Sequence, residues 1–408
     1  MADLNLMRQL ARPDGGKIIL LVLDGLGGLP LGQGSPSGEY TALELARTPN
    51  MDQLARAGCL GLSYPLGRGI TPGSGPAHLA LFGYDPIARP IGRGVLEALG
   101  IGLELRPGDL AARGNLCTVD EDGAIIDRRA GRVSTEMAAP AVARLAAIRV
   151  PGLETIVRAV KEYRIAVIFR GSGLRDELGE TDPQVTGEPP LPVEPLIPEA
   201  AATAVLVQQW IDAAKMALYD LYPINMITLR GFGQDPSLPS FTDSYKLRAA
   251  CVAVYPMYQG VSRLVGMDVL ATAADFTPAD EFERVAEHWD AYDFFFVHIK
   301  PTDSRGEDGK LEAKAAVIES VDAALPILLK LKPEVLVITG DHSTPAKLMF
   351  HSWHPVPTLL WAPASHLPDA AQAFGEREAQ CGGLGHFPAA DLMPLALAHA
   401  LRLDKYGA

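Results

Sequence analysis

Hydrophobic residues in this chain gather in short unbroken runs, each ending in a polar or glycine-rich turn. The runs are KIILLVLD (17–24), IAVIFRG (165–171), NMITLRG (225–231), DFFFVHIK (293–300), EVLVITGDH (334–342) and TLLWAP (358–363). Runs of β-branched and aromatic residues without polar alternation belong to strands covered on both faces, so they predict parallel strands of an α/β sheet. Between them apolar residues recur every three to four positions. TALELARTPNMDQLARAG (41–58) predicts a helix ending at Gly58, residues 198–222 a long amphipathic helix, and residues 309–332 another, interrupted at Pro326. Strands alternating with helices of this length predict βαβ units.

The texture changes between about residues 110 and 200. ARGNLCTVDEDGAIIDRRAGRVS (112–134) alternates and turns at Asp122-Gly123, as an antiparallel hairpin does, and residues 175–198 carry six prolines and read as an irregular connection. The expected architecture is α/β: a mostly parallel sheet flanked by helices, with a smaller inserted α+β domain. The main domain is expected over 1–110 and 224–408, and the insertion over 111–223.

Composition narrows the function. The chain has 408 residues and a net charge of −13, so it offers no field to gather DNA or RNA. A small phosphorylated acid remains a possible substrate if arginines or metal ions hold it locally. Cys59, Cys117, Cys251 and Cys381 are far apart with no CxxC spacing, which argues against a disulfide framework or structural zinc and for a reducing compartment. No apolar run reaches membrane-spanning length and the N-terminal stretch lacks the apolar core of a signal peptide, so a cytoplasmic location is expected.

Acids and histidines cluster where strands are predicted to end: Asp24 after the first run, Asp303 and Glu307 after 293–300, Asp341-His342 after 334–340, and His351 before the last run. In an open parallel sheet those ends line one rim where ligands bind. Mixed carboxylate and imidazole ligands suit Mn, Zn or Mg. One such Asp alone reads as a cap or turn residue, and His298, beside aromatic residues, reads as a packed core residue. Ser74, between Gly73 and Gly75 at a predicted helix start, has two readings. It is an N-cap, or it stands bare at the positive helix end, where metal coordination would make it a nucleophile. Arg128, Arg129, Arg132, Arg170 and Arg230 lie at strand or hairpin ends, either as solvated charges or as a phosphate- and carboxylate-binding set.

LVLDGLGG (21–28), ARTPNMDQLARAG (46–58), TPGSGPAHLALFGYDP (71–86), ARGNLCTVDEDG (112–123), DRRAGR (127–132) and VITGDHSTP (337–345) together resemble the archaeal-type cofactor-independent phosphoglycerate mutases of the alkaline phosphatase superfamily. The likeness runs from about residue 17 to GGLGHF (382–387). It implies an alkaline-phosphatase-like domain with two divalent metal ions, usually Mn with Mg, Zn or Co as alternatives, an inserted substrate-binding domain, and no need for 2,3-bisphosphoglycerate. By residue it implies Asp24, Ser74, Asp341 and His342 at one metal, with Ser74 also the nucleophile, and Asp303 and His351 at the second. The arginines above fall where the family places substrate-binding arginines. Three departures stand out: Glu307 where the family generally has histidine, Ser74-Gly75 for Ser-Asp, and Ser244 before Tyr245 where a lysine is usual, with Lys246 nearby.

The implied reaction interconverts 3-phosphoglycerate and 2-phosphoglycerate through a phosphoserine. It requires a closed, dry cleft in which the glycerate reorients. The alternatives are a phosphatase or phosphodiesterase with the same machinery, and a non-catalytic phospho-ligand sensor.

Overall fold

The structure is a computed structural model that describes residues 3–32 and 38–407. The chain divides into two compact units, one built from residues 1–90 and 239–408 and the other from the continuous stretch 91–238. The second unit thus begins earlier and ends later than the 111–223 expected. Part of the reason is the helix Arg93–Gly100, in which a Cβ on Gly94 would come within 2.4 Å of Ala112 Cα, too close for any residue but glycine.

The first unit begins with strands β1 (Ile18–Leu23) and β2 (Cys59–Tyr64). The second unit contributes β3 (Leu110–Val119), β4 (Ile125–Asp127), β5 (Glu154–Lys161), β6 (Arg164–Arg170) and β7 (Met226–Gly233). The chain then returns with β8 (Ala249–Ala253), β9 (Asp268–Val269), β10 (Phe294–Ile299), β11 (Val335–Thr339), β12 (Val356–Trp361) and β13 (Gly385–Pro388).

The main sheet has the order β13-β2-β12-β11-β1-β10-β8-β9. Strands β11, β1, β10 and β8 run parallel, whereas β12 is antiparallel to both β11 and β2. The run 358–363 therefore lies in this sheet, but in the opposite direction to that predicted. Every residue of β1, β10 and β11 is buried, which explains the absence of alternation.

The runs at 165–171 and 225–231 are not in this sheet. They form β6 and β7, antiparallel neighbours of β3 in the five-stranded sheet of the second unit. On β6, Ile165, Val167 and Phe169 face the core formed with Ala141, Leu145 and Trp210, while the alternate residues Ala166 and Ile168 are buried as well. Burial on both faces erases alternation whatever the strand direction, so the pattern could not separate parallel from antiparallel.

The hairpin turns at Asp122-Gly123 as expected, with Gly123 at φ +87° between β3 and β4. Among helices, 41–58 breaks into Ala42–Leu45 and Pro49–Arg56, where Pro49 starts the second helix as a first-turn residue. The helix Leu311–Lys330 runs unbroken through Pro326, its buried stripe continuing from Leu325 to Leu328.

The core also holds a local conflict. Glu281, in the helix Pro278–Glu287, is 4% exposed and its Oε2 has no hydrogen-bond partner. Burial pushes its carboxyl well above the usual range. The folded state therefore keeps a proton that the unfolded chain loses, and stability falls as pH rises above the ordinary glutamate value. Glu281→Gln is expected to raise stability by about 1–2 kcal/mol at pH 8 and by nothing measurable at pH 4, as read by urea unfolding at the two pH values.

Candidate metal centre

The parallel strands deliver their carboxyl ends to one rim. Asp24 follows β1, Lys300 and Asp303 follow β10, and Asp341-His342 follows β11. All but Lys300 are essentially buried. His342 Nε2 is the common point: it lies 3.3 Å from Asp24 Oδ1, 3.3 Å from Asp341 Oδ2 and 3.3 Å from Ser74 Oγ. Ser74 opens the helix Ser74–Leu81, whose N-cap is Gly73, and makes no capping bond. The N-cap reading of Ser74 therefore falls, because its hydroxyl turns to the acids and imidazole instead.

The hydrogen bonds around His342 set its tautomer. Thr344 Oγ1 donates its one proton to Asp303 Oδ1 at 2.6 Å, so the 3.0 Å contact with His342 Nδ1 requires Nδ1–H as donor. Nε2 is then the nitrogen that carries the lone pair whenever the ring is neutral. His351 follows the same logic, since Nδ1 faces the Pro72 carbonyl at 3.1 Å and leaves Nε2 unprotonated, 3.6 Å from Asp303 Oδ1. The two imidazoles stack with centroids 3.6 Å apart.

Two groups of potential ligand atoms result, Asp24–Asp341–His342 and Asp303–His342–His351, with the atoms of each group within 4.8 Å of one another. Asp24 Oδ1 and Asp341 Oδ2 are buried without a hydrogen-bond partner. Buried carboxylate oxygens gathered around one imidazole nitrogen without a hydrogen bond form a donor set that a divalent cation of borderline or hard character satisfies. The electrostatics agree. Burial opposes ionisation of Asp24, but Lys300, His298 and His342 hold it well below the usual carboxylate range. Burial and the charge of Asp24 then push Asp341 up to about 8. His342 is raised to about 9, because Asp341 and Asp24 outweigh the burial that would lower it. Two carboxylates this close conflict without a counter-charge, which a cation supplies.

Comparison with known proteins places the chain. A family model described as 2,3-bisphosphoglycerate-independent phosphoglycerate mutase matches residues 55–225. A relative from Thermus thermophilus, named "Probable 2,3-bisphosphoglycerate-independent phosphoglycerate mutase", is 48% identical over 405 residues, covering 98% of this chain and 98% of its own. The chain belongs to this mutase family. The fold agrees. A solved protein of Pyrococcus horikoshii superposes with TM-score 0.81 at 31% identity, covering 97% of this chain and 100% of its own. The cofactor-independent phosphoglycerate mutase of Thermoplasma acidophilum gives 0.70 at 31% identity, covering 94% and 100%.

Within this family member the three departures take definite positions. Glu307 Oε1 lies 3.8 Å from His351 Nε2, beside the Asp303 group but on a half-exposed side chain. Gly75 is buried in the first turn of the helix Ser74–Leu81. Ser244 is buried, and Lys246 is exposed in a left-handed conformation at the end of the helix Phe241–Tyr245.

The arginines, all in the second unit, do not form one group. Arg128 grips Asp182 through two bonds of 3.1 and 2.8 Å, with Arg230 4.0 Å from the same carboxylate. Arg129 and Arg132 are exposed around a 3-10 turn. Arg170 is tied to Asp109 by bonds of 2.8 and 2.7 Å, a brace at the end of β6.

Several site residues escaped the sequence reading. Lys300 Nζ lies 3.1 Å from Asp24 Oδ2 and also bonds Asp303, bridging the two ligand groups. Its spacing of three from Asp303 on a helix start was the available signal. Tyr258 donates to Asp24 Oδ2, and its ring stacks on His298 at 3.5 Å. His298 is thus packed, as expected, and is also 3.3 Å from Asp24 Oδ2. Nothing local in the sequence marks Tyr258.

Proposed function

We propose that this chain interconverts 3-phosphoglycerate and 2-phosphoglycerate through a phosphoserine on Ser74, as the names of its relatives suggest. The observation that carries the reading is the uncapped Ser74 hydroxyl, 3.3 Å from His342 Nε2 beside two orphaned carboxylate oxygens. Asp24, Ser74, Asp341 and His342 would hold one divalent cation, and Asp303, His351 and Glu307 a second, with Mn the expected metal. Bound there, the cations lower the pKa of the serine hydroxyl and neutralise phosphoryl oxygens.

Ser74 Oγ attacks phosphorus and the ester oxygen of the glycerate leaves, taking up a proton. The glycerate turns, and its other hydroxyl attacks the phosphoserine and restores Ser74. Lys300 carries a charge positioned for a phosphoryl oxygen. Tyr258 and His298 hold Asp24 in place. The helix Ser74–Leu81 directs its N–H groups and positive end toward the same phosphoryl group. Arg128, Arg129, Arg132, Arg230 and Lys246 are proposed to contact the substrate's phosphate and carboxylate. Arg170, tied to Asp109 as Arg128 is tied to Asp182, is proposed for the same set.

All four cysteines are free, and among the described residues no helix is long and apolar enough to cross a membrane, which supports a cytoplasmic setting.

Purified protein given 3-phosphoglycerate and Mn is expected to form 2-phosphoglycerate, read by an enolase-coupled assay. Release of inorganic phosphate with no 2-phosphoglycerate would replace the mutase reading with a phosphatase one.

A further inference from the structure

Lys314 lies on the buried stripe of the helix Leu311–Lys330, between Leu311 and Ile318, and is itself fully buried. Its Nζ donates to Gly25 O at 2.6 Å, Thr344 O at 2.9 Å and Gly27 O at 3.2 Å. An ammonium has three protons, so every one is given to a main-chain carbonyl. Burial pushes the amine down to about 8, so it keeps its charge at neutral pH.

The other side of the same loop is held by an acid, whose carboxyl group is raised by burial to about 7. Glu376 is partly buried beside Lys314's loop, and accepts from Gly28 N at 2.9 Å and from Thr41 Oγ1. Residues 25–28 are thus held through their carbonyls by a cation and through an N–H by a carboxyl group.

The loops involved carry the ligand candidates. Gly25 follows Asp24, and Thr344 stands two residues after His342, which its hydroxyl orients together with Asp303. Strands β1 and β11 are neighbours, but their pairing ends at Val22–Thr339, before any of these residues. Beyond that point Thr344 N bonds Gly25 O and Gly27 O, the same carbonyls that Lys314 holds. Gly25 is kept free of a side chain by its φ of +62° and by Thr344 Oγ1, 2.5 Å from where a Cβ would stand.

We propose that Lys314, backed by Glu376, is a positioning residue that clamps the loop after Asp24 to the loop after His342 and so sets the spacing of Asp24 and His342, which belong to one cation-binding group. The proposal rests on the two-cation reading above. Lys314 touches neither substrate nor cation.

The test uses the full-length chain stripped of metal. Mn affinity is measured by titration calorimetry for the parent, Lys314→Met and Lys314→Gln, alongside kcat and KM for 3-phosphoglycerate at saturating Mn. Lys314→Met is expected to bind Mn about 10–100-fold more weakly, the range seen when groups orienting metal ligands are removed. Its kcat should fall while KM stays within about twofold. Lys314→Gln, which keeps two donor protons, should recover part of the affinity. It also carries the test alone if the Met variant does not fold. A folded variant with parental Mn affinity, or one whose loss lies in KM rather than kcat, overturns the proposal. A parent that binds no Mn overturns the two-cation reading and this proposal with it.

Discussion

Ser74→Ala is expected to reduce the conversion of 3-phosphoglycerate to 2-phosphoglycerate by at least about 10³-fold while the folded structure persists. The size follows from chemistry, because no phosphoserine forms without Oγ and the neighbouring groups offer no second hydroxyl in the same place. The persistence follows from structure. Ser74 makes no cap bond, so its hydroxyl contributes nothing to the start of its helix, and alanine is the better helix former by about 0.5 kcal/mol. The enolase-coupled rate and the melting temperature, measured together, separate the two effects. A variant that keeps parental turnover excludes serine as the phosphoryl carrier.

Removal of divalent metal is expected to abolish activity and to destabilise the protein more at pH 8 than at pH 6. In the metal-free state Asp341 keeps a proton up to about 8 and His342 up to about 9. Both values lie above those of the unfolded chain, so the folded state binds the extra protons. Metal-free stability therefore falls as pH rises from the ordinary carboxylate range toward about 9. A cation competes with those protons, and its affinity rises over the same interval. At a metal concentration of about 100 times Kd the stabilisation is roughly 2.7 kcal/mol. Melting curves with and without chelator at the two pH values check this, and a chelator effect that shrinks from pH 6 to pH 8 contradicts the proposed ligand set.

The sequence revealed more of the rim than of the sheet that builds it. β1, β10 and β11 are buried throughout and lead into Asp24, Asp303 and Asp341, so pattern and chemistry mark the same points. The direction of β12 and the membership of β6 and β7 were hidden, because strands buried on both sides carry the same residues whichever way they run. β2 and β8 passed unnoticed: CLGLSY and AACVA are too rich in small residues to stand out. At the site, the side chains of Asp24, Ser74, Asp303, Asp341, His342 and His351 lie close to one another. The residues that steady them were harder to find, since a lysine among leucines or a tyrosine in a helix signals chemistry only once its neighbours are known. Lys314 is the partial exception, because its place on an apolar stripe is already anomalous in the sequence.

The pairing of β1 with β10 and β11 governs the order in which a nascent polypeptide can mature. Residues 91–238 are contiguous, and their strands pair only with one another, so this stretch can complete its own sheet while translation continues. β1 leaves the ribosome about 270 residues ahead of its first partner, since its neighbours begin at Phe294 and Val335. Throughout that interval the apolar segment IILLVL waits without partners, and the rim that gathers Asp24, Ser74 and His342 can close only after β11 and His342 have been made.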